Sequence, residues 1–249
     1  MNDEIFSPLA GNTFHFSCHK GISCFTECCA RLRLALTPYD ILRMKNRLGL
    51  SSDQFLDQYT DTDLTLHWRF PMVRLKMRDD EKKTCPFVTT DGCTLYEDRP
   101  GACRLYPIGR AARLDKAGDE NNARDQFFLV SEAHCLGFQE ERLWKLEEWL
   151  NHEGVSKYNA MNDKWLEIVG SNKSLGPQEA VQKKLQVFFM ASYNLDRFRN
   201  FVFQSRFFDM FEVDQDTKRA IKKDDEALMD FALDWLKFSL FGEKTLTAR

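Results

Sequence analysis

CHKGISCFTECC (residues 18–29) and CPFVTTDGCTLYEDRPGAC (residues 85–103) hold seven of the chain's eight cysteines. Cys135 is the eighth, and residues 136–249 contain none. Cysteines kept only as small core hydrophobes would not respect such a boundary. Thiolates crowded on turns are the donors that a soft metal ion or an iron–sulfur cluster takes. Cys18, Cys24, Cys28, Cys29, Cys85, Cys93, Cys103 and Cys135 are therefore all candidate metal ligands.

The rest of the composition decides how those thiols are used. The chain has 249 residues, 43% of them hydrophobic and 29% charged, enough for one large domain or two small ones. Its net charge is −3, with neither half basic, so nucleic acid is not the expected partner. The opening MNDEIFSPLAGNTFHF has neither a basic nor an apolar leader pattern, and secretion is not expected. No uncharged apolar run reaches the roughly 18 residues of a membrane span. A cytoplasmic chain with a core of its own keeps its thiols reduced, which favours metal ligation over a disulfide framework.

Spacing narrows the chemistry further. Cys24-x3-Cys28 and Cys85-x7-Cys93 are looser than the C-x2-C knuckle of zinc ribbons. Side chains of the adjacent Cys28 and Cys29 point opposite ways in extended backbone, so the two can serve different sites. Eight thiols permit two four-thiolate sites, or one site with spare thiols. Irregular spacing suits an iron–sulfur cluster, whose edge is longer than one ion's coordination sphere. His15, His19 and His134 flank the cysteines as further candidate ligands. Glu97 and Arg99 form a candidate ion pair, and Arg104 a candidate donor to cluster sulfurs. The sequence has no phosphate-cradling loop, G-x-S-x-G, H-E-x-x-H or glycine-rich dinucleotide fingerprint.

Local signals place these residues on elements. Thr37, Pro38 and Gly49 bracket a helix with a stripe of Ile41, Leu42, Met44 and Leu48. A second helix starts at Ser51 or Ser52, with Gln54 completing a capping box and Phe55, Leu56 and Tyr59 on its stripe. Residues 64–78 alternate as strand around Pro71, and Asp91-Gly92 predicts a turn between Cys85 and Cys93. Arg99-Pro100 opens a helical turn presenting Cys103; residues 115–125 read as a loop and 126–131 as a strand. Beyond Gly137 the pattern predicts helices over 137–154, 155–170 and 178–211, with residues 171–177 as a linker. A last helix carries Ile221, Leu228, Phe231, Trp235 and Phe238, and the phenylalanines of 188–211 read as helical core or as a partner-binding face.

Residues 85–107 resemble the signature of the YkgJ-family cysteine-cluster proteins, described as a zinc- or iron-chelating domain. The matching positions are Cys85-Pro86-Phe87, then Gly92-Cys93-Thr94-Leu95-Tyr96-Glu97-Asp98-Arg99-Pro100, then Cys103-Arg104-Leu105-Tyr106-Pro107. Cys28-Cys29, the segment Thr37–Arg43 and Cys135-Leu136-Gly137 match further family features. The upstream cluster departs from the family's tighter C-x2-C-x2-CC, since here it is C-x5-C-x3-CC, with Cys18 the outlying member. Flagellin lysine N-methylases are similar in this motif. That likeness implies an iron–sulfur cluster, and by analogy S-adenosylmethionine.

The fold expected is α+β and mainly helical: an irregular cysteine-rich metal-binding domain over residues 1–140, with short helices and a small sheet, and a helical region over 141–249. The function expected is metal binding through the cysteines, by an iron–sulfur cluster (4Fe–4S) or zinc, in support of protein modification or redox chemistry. Two alternatives stand beside it: a structural zinc module presenting its tail to a protein partner, and a metal-handling protein.

Overall fold

Thr37 caps the helix Pro38–Leu48 by accepting from the Asp40 amide, while the Asp40 carboxylate accepts from the Thr37 amide. Ser51 and Gln54 form the same reciprocal pair at the start of Ser52–Tyr59. Each box satisfies two of the amides that a helix start leaves open. Gly49 ends the first helix at φ 67°, a left-handed conformation that glycine takes without a Cβ penalty. The computed structural model describes residues 5–63, 69–112 and 125–249. Of the strand predicted over 64–78, only Met72–Leu75 is seen, and residues 64–68 lie outside the described residues. So do residues 113–124, which include most of the predicted loop.

Among the described residues the secondary structure is mainly helical with small antiparallel sheets, as the α+β reading expects. The chain forms two compact units. One comprises Met1–Leu34 and Leu75–Ala160, the other Ala35–Arg74 and Met161–Arg249. Residues 35–74 thus group with the tail helices, and residues 141–160 group with the cysteines.

In the first unit Gln126–Val130 is the central strand of a three-stranded sheet, between Phe6–Pro8 and Ile108–Ala111. Thr13–His15 pairs with Leu143–Lys145. Phe14, Phe16, Leu105, Ile108, Trp144, Trp149 and Val155 form the core beside these strands. The indole nitrogens in it are satisfied: Trp144 donates to the Phe16 carbonyl at 2.9 Å, and Trp149 to the Leu105 carbonyl at 3.0 Å. This corrects the expected helix over 137–154. Leu136–Gln139 is a 3-10 turn, Leu143–Lys145 a strand, and only Leu146–His152 an α-helix. Burying Trp144 against Phe14 and Phe16 while Leu143 and Lys145 face out needs strand alternation, and that tertiary demand overrides the local helical pattern.

The second unit fills its centre with aromatic and aliphatic side chains of Gln178–Tyr193, Leu195–Gln204, Phe207–Met210 and Asp225–Phe241. Phe188, Phe198 and Phe207 are fully enclosed, and Trp235 lies 5.3 Å from Phe198 between ring centroids. The phenylalanine-rich segment is therefore core, with Phe207 rather than Phe208 as its enclosed residue. The apolar period over 178–211 is divided among separate helices, and the last helix expected through Ile221–Phe238 is interrupted. Asn194 caps a new start by accepting from Arg197, and Asp224 caps another by accepting from Glu226 and Ala227. Short side chains that bond their own backbone favour such starts, and a 3.6-residue period passes over them unseen. Lys45 is buried here, with its ammonium 3.6 Å from Asp196 and 3.7 Å from Asp225.

Candidate metal centre

Two backbone bonds bring the distant Cys18 and Cys135 segments together. Phe16 donates to the Arg142 carbonyl at 2.9 Å, and Ser17 to the Gly137 carbonyl at 3.0 Å. A Cβ on Gly137 would stand 2.8 Å from the Ser17 carbonyl and 2.7 Å from the Phe16 ring. That close approach explains the glycine two residues after Cys135. From Cys18 onward the chain makes successive tight turns: Ile22 donates to His19, Phe25 to Ile22, Glu27 to Cys24 and Cys29 to Thr26. The Leu136 amide closes the loop by donating to the Cys24 sulfur at 3.2 Å.

The thiols of this loop act on one another. Cys18 lies at an exposed position, yet its sulfur is pushed up to about 11, first by partial desolvation and then by Cys28, Cys135 and Cys24. Cys28 is raised far more, first by its hydrogen bond with Cys29, then by burial and the charges of Cys29 and Glu132. Cys18, Cys24, Cys28 and Cys135 thus form one electrostatic neighbourhood, joined by Cys29 and Glu132. Tyr106 packs against the same core as Cys135. That phenol is raised by burial first and then by its interaction with Cys135, and the buried hydroxyl has no nitrogen or oxygen partner.

Thr26 starts the turn Glu27–Cys29 at φ 69°, a left-handed conformation that costs a β-branched residue about 1–2 kcal/mol. Thr26→Gly is expected to raise the stability of the metal-free protein by ~1 kcal/mol, read as a higher urea midpoint. A lower midpoint would mean that the threonine side chain holds the turn instead.

A second pair sits on a neighbouring hairpin. Val88–Thr89 and Gly92–Cys93 pair around Thr90-Asp91, so the turn lies one residue before the expected Asp91-Gly92. The Cys85 amide donates to the Cys29 carbonyl at 2.8 Å, tying the hairpin to the vicinal cysteines. Arg78 clasps the same loop through the Pro86 carbonyl at 2.7 Å and the Val88 carbonyl at 3.3 Å. Burial raises Cys85, as does the charge of Cys93; Cys93 is raised by burial against the opposing pull of Arg99. Cys103 stands exposed on the helical turn Gly101–Leu105, where the sequence places it. No disulfide joins any of the eight cysteines.

The flanking charges take other partners than expected. Arg99 pairs with Glu153, not Glu97, and stacks over Tyr96 with its guanidinium carbon 3.7 Å from the ring centre. Arg104 donates to the Glu153 carbonyl at 2.6 Å and to the Glu97 carbonyl, rather than to a sulfur, and lies over Tyr158. His152 completes the group, 2.9 Å from the other Glu153 oxygen. His15 bonds the Glu141 carbonyl at 3.1 Å, His19 the Glu140 carboxylate at 3.1 Å, and His134 lies 3.4 Å from Glu132. Sequence reading missed Glu132, Tyr106 and Glu153, which act here through packing between distant segments; only the place of Tyr106 in the signature could have marked it.

These donors suit a soft metal: thiols, a backbone amide aimed at one sulfur, and a buried hydroxyl on a ring packed against the same core as another. Among the described residues, however, no three Cys, His, Asp or Glu side chains stand close enough to hold a single ion. Nor is any helix long and apolar enough to cross a membrane, among the same residues.

Thiols carried on turns from distant segments are the donor type of cysteine-based metal-chelating proteins. Residues 17–136 match the model of the CxxCxxCC family, described as a "putative zinc- or iron-chelating domain". The match runs from the residue before Cys18 to the residue after Cys135 and so takes in all eight cysteines. No curated protein and no solved structure matches the chain.

Proposed function

We propose that the protein binds an iron–sulfur cluster through Cys18, Cys24, Cys28 and Cys135, with Cys29, Cys85, Cys93 and Cys103 as the nearby thiols from which a further ligand or a second site is drawn. The observation that carries this reading is the set of bonds that joins the Cys18 loop to the Cys135 segment: Phe16 to Arg142, Ser17 to Gly137, and the Leu136 amide to the Cys24 sulfur. Four thiolates are what either a cluster or a structural zinc ion takes. The irregular spacing of the cysteines supports the cluster, whose frame is wider than one ion's coordination sphere. Zinc held after the sulfurs draw inward is the second reading, and the family description allows it.

The chain's own residues would do the following. The thiols give up their protons as they ligate, the Leu136 amide steadies the Cys24 sulfur, and the Thr26 turn fixes the direction of Cys28 and Cys29. A bound cluster supplies electron transfer. We propose a cytoplasmic setting and a role in protein modification or redox chemistry, with a protein as substrate or partner rather than nucleic acid.

Anaerobic purification with iron, zinc and acid-labile sulfide measured per chain tests this directly. Iron and sulfide in similar amounts, with a brown colour, support the cluster. A colourless protein holding zinc moves the second reading forward, and a metal-free protein sinks both. Cys103→Ser is expected to leave metal content close to wild type, since the proposed set of Cys18, Cys24, Cys28 and Cys135 does not include it. A clear fall in metal per chain would make Cys103 a ligand instead.

A further inference from the structure

We infer that Tyr106 is a positioning residue for the metal centre, its hydroxyl donating a hydrogen bond to the thiolate of Cys135 once a metal is bound. This rests on the proposed ligation by Cys135. A buried hydroxyl without a partner costs free energy, and native proteins leave few of them. The Tyr106 hydroxyl is such a group: it is buried without a hydrogen-bond partner, on a ring packed against the same core as Cys135.

Its ring is not free to swing away. It packs edge-on to Phe16 at 5.9 Å between centroids, within the core that also receives Cys135. Phe16 in turn is held by the bond from its amide to Arg142 and by the Trp144 indole on its carbonyl. The hydroxyl is therefore fixed in place. A neutral thiol is a weak acceptor, whereas a thiolate is a strong one, so the bond gains most of its strength only when the sulfur ligates metal. A donor to a ligating sulfur spreads its charge, steadies its orientation and, in an iron–sulfur centre, raises the reduction potential.

The test is Tyr106→Phe in the full-length protein, which removes the oxygen and keeps the ring. Three results are expected: metal held about ten- to hundredfold more weakly against a competing chelator, a more negative reduction potential for an iron–sulfur form, and a shifted sulfur-to-metal band in a cobalt(II)-loaded form. Stability of the metal-free variant should be unchanged or higher, because an unpartnered hydroxyl has gone. A purely structural tyrosine would lower both states together.

If Tyr106→Phe does not fold, a fluorotyrosine at position 106 keeps the ring and makes the hydroxyl a stronger donor. It should raise the potential, and an unchanged potential would overturn the inference. For folded Tyr106→Phe, a Cys135→Ser background supplies the control. There, Tyr106→Phe should change neither metal retention nor potential beyond the loss from Cys135→Ser itself, and an added loss of full size would overturn the inference. Wild-type affinity, potential and band in folded Tyr106→Phe would overturn it while leaving the metal reading intact. A wild-type protein that takes up no metal overturns both.

Discussion

Replacing Cys28 by serine is expected to strip the protein of most of its metal and to lower its thermal midpoint to that of the metal-free form. Cys28 is where the interactions of the loop meet. It bonds Cys29, feels the charge of Glu132, and acts on both Cys18 and Tyr106. Loss of a supporting group typically costs a metal site about 10–100-fold in affinity, and loss of a ligand costs more. Because a bound metal stabilises only the folded chain, that affinity is also folding stability; structural zinc sites reach roughly 10–16 kcal/mol in small domains.

The same ligation has a pH signature with a definite sign. In the metal-free protein Cys18 is pushed up to about 11, first by partial desolvation, so at neutral pH it carries its proton. Each sulfur that ligates must release a proton, and affinity should weaken by roughly tenfold per pH unit on acidification for every proton displaced. Metal per chain, thermal midpoint with and without chelator, and proton release on loading are the measurements. Cys28→Ser protein that keeps its full metal complement would remove Cys28 from the ligand set.

What the sequence could and could not reveal follows from the range of each force. Caps are local, so Thr37, Pro38 and Gly49 fix a helix that the structure reproduces residue for residue. Cysteine identity is local too, so the eight candidate ligands can be read before any fold is known. Partnerships across the chain cannot. Arg99 meets Glu153 rather than its sequence neighbour Glu97, because the helix end at His152 turns the carboxylate into a buried space that only folding creates. Trp144 reads as one face of a helix until the strand Thr13–His15 offers it a pairing partner. Asn194 and Asp224 break two helical periods because a side-chain acceptor decides a start that apolar spacing ignores.

Glu153→Ala is expected to destabilise the protein by about 3–5 kcal/mol, the second large effect. Glu153 and Arg99 are both buried, and the carboxylate also receives His152 while its own backbone carbonyl receives Arg104. Removing the carboxylate leaves the Arg99 guanidinium enclosed beside Tyr96 without its counter-charge. That penalty is much of the typical net stability of a domain, about 5–15 kcal/mol. Glu153→Gln keeps the volume and one acceptor, so it should cost less. Replacing both partners by leucine should recover much of the loss, since it removes the stranded charge along with the pair. Urea unfolding of the four proteins, each with and without metal, measures these differences. A Glu153→Ala midpoint within error of wild type would show that Arg99 finds another partner at little cost. The expected loss has a consequence for the metal. Arg99 and Arg104 belong to the signature that presents Cys93 and Cys103, yet their anchor at position 153 lies beyond the family segment 17–136. The thiol loops are therefore held in part by the Leu146–His152 helix and the residue that follows it, so Glu153→Ala should weaken metal retention without touching a ligand.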